Sequence, residues 1–381
     1  MSKNIKKICV VGMAIVFTLC ASELLYRLFV YKSCLINTAA FTRSHRSLCE
    51  YDSLLGWRHK KNAQKTFIAP EYKSLILFNS KGFRGSEPAY AKDNNVYRVL
   101  IIGDSFAEGY VVNQDDVFSE ILKNNLSQII KDKTIEIVNA GVGGYSTDQE
   151  LLFMMEEGYK FQPDLTLLMF FGNDVYYNTQ SIYYKKGKPY FVFENKTLVS
   201  KNTPVPKSAA EFKKNNVRNF LKKRLYLFSF LMRKKLELST NAEHILPKED
   251  RIYLVTYEAA IEHSWFITEK IIQKLKQFVD SEKNDLLIVY IPPKEAVHRF
   301  DYQAYLDYYD TEKGVININK PASILSGICT RNGISFLDLT SDLQLSGQSK
   351  RLYYRRDAHW NKEGNRVVGQ LLAQYIAKHY F

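Results

Sequence analysis

Cysteine is scarce, with five in 381 residues, and none has the paired spacing of a metal site. Cys9 and Cys20 fall in the first apolar stretch, which leaves Cys34, Cys49 and Cys329. Three cannot all pair internally; Cys34 with Cys49 would make a bridge only in an oxidising compartment, and Cys329 reads as core. No cofactor or metal is therefore expected. The chain also lacks a zinc-finger or RRM signature, which argues against nucleic acid despite its basic charge. Nor does Gly103 to Gly109 offer the glycine-rich cradle of a nucleotide binder. After residue 31 no apolar run is long enough to cross a membrane.

What is present is a core-forming composition: 46% hydrophobic and 14% aromatic residues. That is ample for one large or two ordinary domains. The net charge of +13 suggests an anionic partner. At the start, Lys3, Lys6 and Lys7 precede the uncharged run Ile8–Ser22, the pattern of an export signal. Residues 1–32 are expected to form an uncleaved transmembrane anchor, with cleavage after Ser22 as the alternative. The lysines place the N-terminus inside and the rest outside, in periplasm or at the cell surface.

Residues 33–96 read as a linker and covering flap, with a strand-like Lys73–Phe78 followed by the turn-rich Asn79–Gly85. From residue 97 to 381 strands and helices alternate, which predicts a parallel sheet with right-handed crossovers. Strands are expected over Arg98–Ile102, Ile135–Val138, Leu165–Phe171, Leu286–Ile291 and Ile334–Leu337. Helices are expected over about 116–130, 147–157, 249–281, 321–331 and 361–379. The fold class is a three-layer α/β/α sandwich around about five parallel strands. A basic insertion, residues 178–250, interrupts it with sixteen basic against six acidic residues. Its segment Leu225–Met232, framed by Lys222-Lys223-Arg224 and Arg233-Lys234-Lys235, reads as a packed helix or as a surface for anionic lipid or polymer over 185–235.

Chemistry concentrates where strands end. Ser105 follows the first strand, a glycine loop containing Gly144 follows the second, and Asn173 follows the third. A parallel sheet delivers all three to one rim. Near the C-terminus, Asp357-Ala-His359 puts a carboxylate and an imidazole on one side of an extended backbone, a base with its orienting group.

Gly103-Asp-Ser105-Phe, Asn139-x4-Gly144, Gly172-Asn173-Asp174 and Asp357-x-His359 resemble, in order and spacing, the blocks of the SGNH (GDSL-type) hydrolases. Asn79-x-x-Gly82-Phe83-Arg84-Gly85 and His359-Trp360-Asn361 are similar to those of membrane-anchored bacterial members. The resemblance implies a flavodoxin-like sheet, Ser105 as nucleophile, His359 as general base and Asp357 as its orienting acid. It implies an oxyanion hole of the Ser105 N–H, the Gly144 N–H and the Asn173 amide, with Asp104 orienting the loop. Many members space the acid and base as Asp-x-x-His; here Arg356 stands at that earlier position and Asp357 is one residue nearer. The absence of G-x-S-x-G argues against the ordinary α/β-hydrolase elbow.

The expected function is an exported serine esterase removing acyl, preferably acetyl, groups from a cell-envelope glycan. Acyl transfer to a glycan hydroxyl, a lipid esterase or thioesterase, and a catalytically silent glycan-binding protein are the alternatives.

Overall fold

A computed structural model describes residues 3–25, 47–183, 186–207, 246–309 and 314–381. The chain divides into two units, Met1–Asn37 with Ala209–Ile245, and Thr38–Ser208 with Leu246–Phe381. In the first, the described part is one helix, α1 (Lys3–Leu25).

The transmembrane anchor expected over residues 1–32 is not found: among the described residues, no helix is long and apolar enough to cross a membrane. The uncharged run between Lys7 and Glu23 holds 15 residues. At 1.5 Å per residue it rises about 22 Å, short of the ~30 Å hydrocarbon layer. The inner-membrane partner and the single-pass topology with an extracytoplasmic domain fall with the anchor.

The second unit is built on a parallel sheet. Its strands are β1 (Val96–Gly103), β2 (Thr134–Asn139), β3 (Leu165–Phe171), β4 (Asp285–Ile291) and β5 (Ser335–Asp338). They lie in the order β5-β4-β3-β1-β2, each parallel to its neighbours. The central strands are apolar at nearly every position because both faces are covered. Val99 and Ile101 face a core shared with α3 (Phe118–Ile129) and α8 (Lys362–His379). Leu100 and Ile102 face the other core, with α4 (Thr147–Glu156), α6 (Ala259–Ser281) and α7 (Lys320–Arg331). The result is three layers. Because β2 and β3 flank β1 on opposite sides, a crevice opens beyond the carboxyl ends of β1 and β3. Two short helices start there, α2 (Ser105–Glu108) and α5 (Asn173–Tyr177).

Several boundaries differ from the sequence expectation for local reasons. Gln114–Asp116 closes a 3₁₀ turn, so α3 starts at Phe118. The helix expected over 249–281, whole or broken, is divided into a 3₁₀ turn at Lys248–Tyr253 and α6 from Ala259. Residues 47–90 carry two hairpins, Cys49–Asp52 with Gly56–His59 and Gln64–Ile68 with Lys73–Leu77. The described part of the insertion contains a third, Tyr190–Glu194 with Thr197–Lys201. Lys188, one of the insertion's basic residues, is not on a charged surface: it is fully buried and pairs with the buried Asp148. Leu225–Met232 with its flanking cations, and Cys34, lie outside the described residues.

Candidate active site

Gly103 ends β1 where no larger residue fits: a Cβ there would lie 2.8 Å from Ala107 Cβ and 2.9 Å from Met169 Cβ. The chain then turns sharply into α2, with the Asp104 carboxylate accepting the Phe106 N–H at 2.8 Å. Burial raises the Asp104 pKa to about 6, against the pull of that hydrogen bond and of the His359 charge. Ser105 is thereby the first residue of α2, and its own N–H has no carbonyl one turn back to reach.

His359 and Asp357 lie just before α8. Asn361 caps that helix by accepting the Gly364 N–H at 3.0 Å. The backbone ahead of the cap folds into a short return in which Tyr353 pairs with Trp360 and Tyr354 donates its N–H to the His359 carbonyl at 3.1 Å. Trp360 is fully buried beside Phe106 and Phe118. The imidazole is thus held between a rigid helix start and α2.

The structure brings three of the expected residues together. Ser105 Oγ lies 2.7 Å from His359 Nε2, and His359 Nδ1 lies 2.5 Å from Asp357 Oδ1. The His359 backbone N–H also donates to Asp357 Oδ1, at 3.0 Å. The shortened Asp-x-His spacing therefore still lets the acid reach the ring. Burial works to raise the Asp357 pKa, but the His359 ring, its hydrogen bonds and that of Tyr72 hold the carboxyl below its ordinary value.

Two tyrosines and a glutamate complete this arrangement, and the sequence reading had not singled them out. The Tyr72 hydroxyl donates to Asp357 Oδ2 at 3.3 Å and that of Tyr110 at 3.4 Å. Tyr110 also lies 3.1 Å from His359 Nδ1. Burial and the Asp357 charge push both phenols up, so each hydroxyl keeps its proton to donate. Glu71 accepts the N–H groups of Arg355 at 2.8 Å and Arg356 at 2.7 Å, fixing the loop that carries the acid. Tyr72 and Glu71 come from the turn of a hairpin some 285 residues away in sequence. Only the run Glu71-Tyr72 beside a strand hinted at them, and polar residues in a turn are ordinary.

The expected oxyanion donors sit on the three loops of the same rim. Gly144 has φ +83°, and a Cβ there would lie 2.3 Å from the Tyr183 ring. Glycine is thus required on both counts. The preceding N–H, of Gly143, donates to Glu108 Oε2 at 2.7 Å, and Asn139 Nδ2 ties the loop to α2 through the Ala107 carbonyl at 2.7 Å. Asn173 opens α5, its side-chain oxygen buried without a hydrogen-bond partner. Asp174 behind it is held by Thr147 Oγ1 at 3.2 Å, and burial pushes its carboxyl well up, towards the neutral acid. Among the described residues, the Ser105 N–H, the Gly144 N–H and the Asn173 amide make no hydrogen bond to another protein group.

The Asn79–Gly85 motif has a structural explanation. Arg84 is buried and donates to the carbonyls of Glu108 (3.1 Å), Gly109 (2.5 Å) and Val112 (3.1 Å), capping the C-terminal end of α2. Burial lowers its pKa to about 10. No group of three or more metal-ligating side chains occurs among the described residues.

Comparison with known proteins adds one family. Residues 254–380 match the SGNH hydrolase-like domain of acetyltransferase AlgX. That range holds Asp357 and His359, and Ser105 lies outside it. No curated protein matches. Among solved structures, a lipase/acylhydrolase from Enterococcus faecalis is 10% identical with a TM-score of 0.41, covering 74% of this chain and 96% of its own. A catalytic mutant of the acetylxylan esterase Axe2 from Geobacillus stearothermophilus is 12% identical with a TM-score of 0.40, covering 75% and 96%. The acetyl xylan esterase AlAXEase is 15% identical with a TM-score of 0.40, covering 74% and 98%. Likenesses this distant bear on neither substrate nor mechanism. The AlgX-domain match, beside the Ser-His-Asp geometry, supports enzymatic hydrolase activity on ester bonds.

Proposed function

We propose that this protein is an SGNH-like serine esterase that removes acyl groups, acetyl foremost, from a glycan through an acyl-enzyme on Ser105. The observation that carries the reading is the 2.7 Å contact between Ser105 Oγ and His359 Nε2, with Asp357 on the other ring nitrogen. His359 takes the serine proton as Oγ attacks the ester carbonyl, and Asp357 holds the ring in the tautomer that leaves Nε2 free to accept. Charge building on the carbonyl oxygen is met by the Ser105 and Gly144 N–H groups and the Asn173 amide. The protonated His359 then gives its proton to the leaving sugar oxygen. Water, activated by the same imidazole, attacks the acyl-enzyme and releases the acid.

A second reading is favoured by the matched family model, whose description names an acetyltransferase. A sugar hydroxyl in place of water would receive the acetyl group from the same acyl-enzyme. One experiment separates the outcomes. The protein should release p-nitrophenol from p-nitrophenyl acetate, and Ser105→Ala should abolish release. If an oligosaccharide acceptor gains acetyl at the expense of free acetate, transfer is the function. If Ser105→Ala hydrolyses as wild type does, neither reading stands.

A further inference from the structure

Behind the proposed oxyanion donors lies a knot of buried charge that the mechanism above does not use. Asp104, Asp148, Glu150 and Asp174 are each 2% exposed or less. Asp104 precedes Ser105, Asp148 and Glu150 lie in α4 just after the Gly144 loop, and Asp174 follows Asn173 in α5. An oxyanion hole works by favouring negative charge on the substrate oxygen, and carboxylates gathered behind it in a low dielectric oppose that. Something has to cancel them.

Lys188 supplies the cation. Its ammonium is fully buried and donates to Asp148 Oδ2, to the Tyr177 carbonyl at 2.9 Å and to the Pro189 carbonyl at 3.1 Å, an acceptor for each of its three N–H groups. Tyr177 closes α5, four residues on from Asn173, and Asp148 is four residues on from Gly144. One cation is therefore bonded to both segments that carry the proposed donors. The basic insertion places it: the Lys188 N–H reaches the Ser181 carbonyl at 3.0 Å, and its own carbonyl accepts Asn202 Nδ2 at 2.7 Å. The acids differ in how they are settled. Burial first, and then the neighbouring carboxyls, push Glu150 and Asp174 well up, towards the neutral acid. Burial also draws Asp148 up and Lys188 down, but their mutual attraction works against both shifts, as does the Gln149 N–H that Asp148 Oδ1 accepts at 2.7 Å, and the pair stays ionised.

From these contacts we propose that Lys188 is a positioning residue for the reaction, whose charge cancels that of Asp148 behind the oxyanion hole and lets the Gly144 and Asn173 donors meet the developing oxyanion without an opposing field. The inference rests on the esterase reading above. It gives this part of the basic insertion an electrostatic task inside the protein, at the site, in place of one on the surface.

Steady-state cleavage of p-nitrophenyl acetate by the full chain tests it. Lys188→Gln keeps an amide donor for the carbonyls and loses the charge; at about pH 8.5 its kcat should fall by about tenfold or more, with KM changed by less than about twofold. The loss should shrink as the pH falls, because Asp148, left without its cation, takes up a proton and becomes neutral. Lys188→Gln combined with Asp148→Asn removes both charges and should return kcat to within about threefold of wild type. A Lys188→Gln enzyme as fast as wild type, a loss that does not change with pH, or a double variant as slow as the single one would each overturn the inference. Should Lys188→Gln alone not fold, the double variant still decides, since it leaves no buried charge unpaired: a kcat there reduced tenfold or more would make Lys188 a tether and not a counter-charge. Ester cleavage that depends on Ser105 but not on the Lys188 charge removes this inference and leaves the esterase. A wild type that cleaves no ester removes both.

Discussion

Each oxyanion donor acts only if it keeps its proton aimed at the developing charge. In the proposed mechanism Asn173 is the side-chain member of the set, and it can be removed without touching the backbone. Asn173→Ala should lower kcat by on the order of 100-fold with little change in KM, measured on an activated acetyl ester. The acid is a separate question, because Asp357 shares its work with two phenols. Asp357→Asn should lower kcat by on the order of a thousandfold, since an amide no longer fixes the protonated nitrogen of His359. The same variant should retain its fold, because Tyr72 and Tyr110 can still bond an amide oxygen at that position. Near-normal activity in Asp357→Asn would mean that another group orients the imidazole.

The element that holds Ser105, the proposed nucleophile, is only four residues long and has almost no stability of its own. It is held from outside. Arg84 satisfies carbonyls at its C-terminal end, Asn139 binds the Ala107 carbonyl, and Glu108 reaches the Gly143 N–H. Arg84→Ala should destabilise the protein by about 2–4 kcal/mol in urea unfolding, through the carbonyls it leaves buried without a donor. It should also lower kcat, because Ser105 rides on the helix that loosens. Here the limits of sequence reading are visible. The Ser105, Asn173 and His359 blocks were legible because each follows an apolar run that could only be a buried strand, or precedes a clear helix cap. Glu71, Tyr72 and Tyr110 were not, because their partners lie far away in the chain and nothing local distinguishes a tyrosine aimed at a carboxylate from one packed in a core. The anchor was misread because a lysine-flanked apolar run carries the same pattern whether or not it is long enough to span.

Across the whole molecule, burial of acids makes stability depend on pH in an unusual direction. Asp250 has its pKa raised from 3.8 to about 7 by burial and by Glu249 and Glu295. In the unfolded chain it ionises near pH 4, so between about pH 4 and 7 the folded state binds the extra proton and stability falls as pH rises. Asp250→Asn removes that dependence. The variant should melt at nearly the wild-type temperature at pH 4 and increasingly above it up to pH 7, with the gain constant beyond. A gain independent of pH would assign the effect to packing rather than to ionisation.

The 254 positions that separate Ser105 from His359, its proposed base, also set an order of events. The first three strands and the oxyanion loops can assemble while the base is still far from them, because their contacts are made earlier in the chain. Such a partly assembled chain has a serine hydroxyl with no base beside it to take its proton as it attacks. Chemical competence therefore arrives with the docking of α8 and not before, as a last and long-range closure of the kind that slows folding. During refolding, ester cleavage should return later than helical signal, which would make catalysis a timer for the final step of assembly.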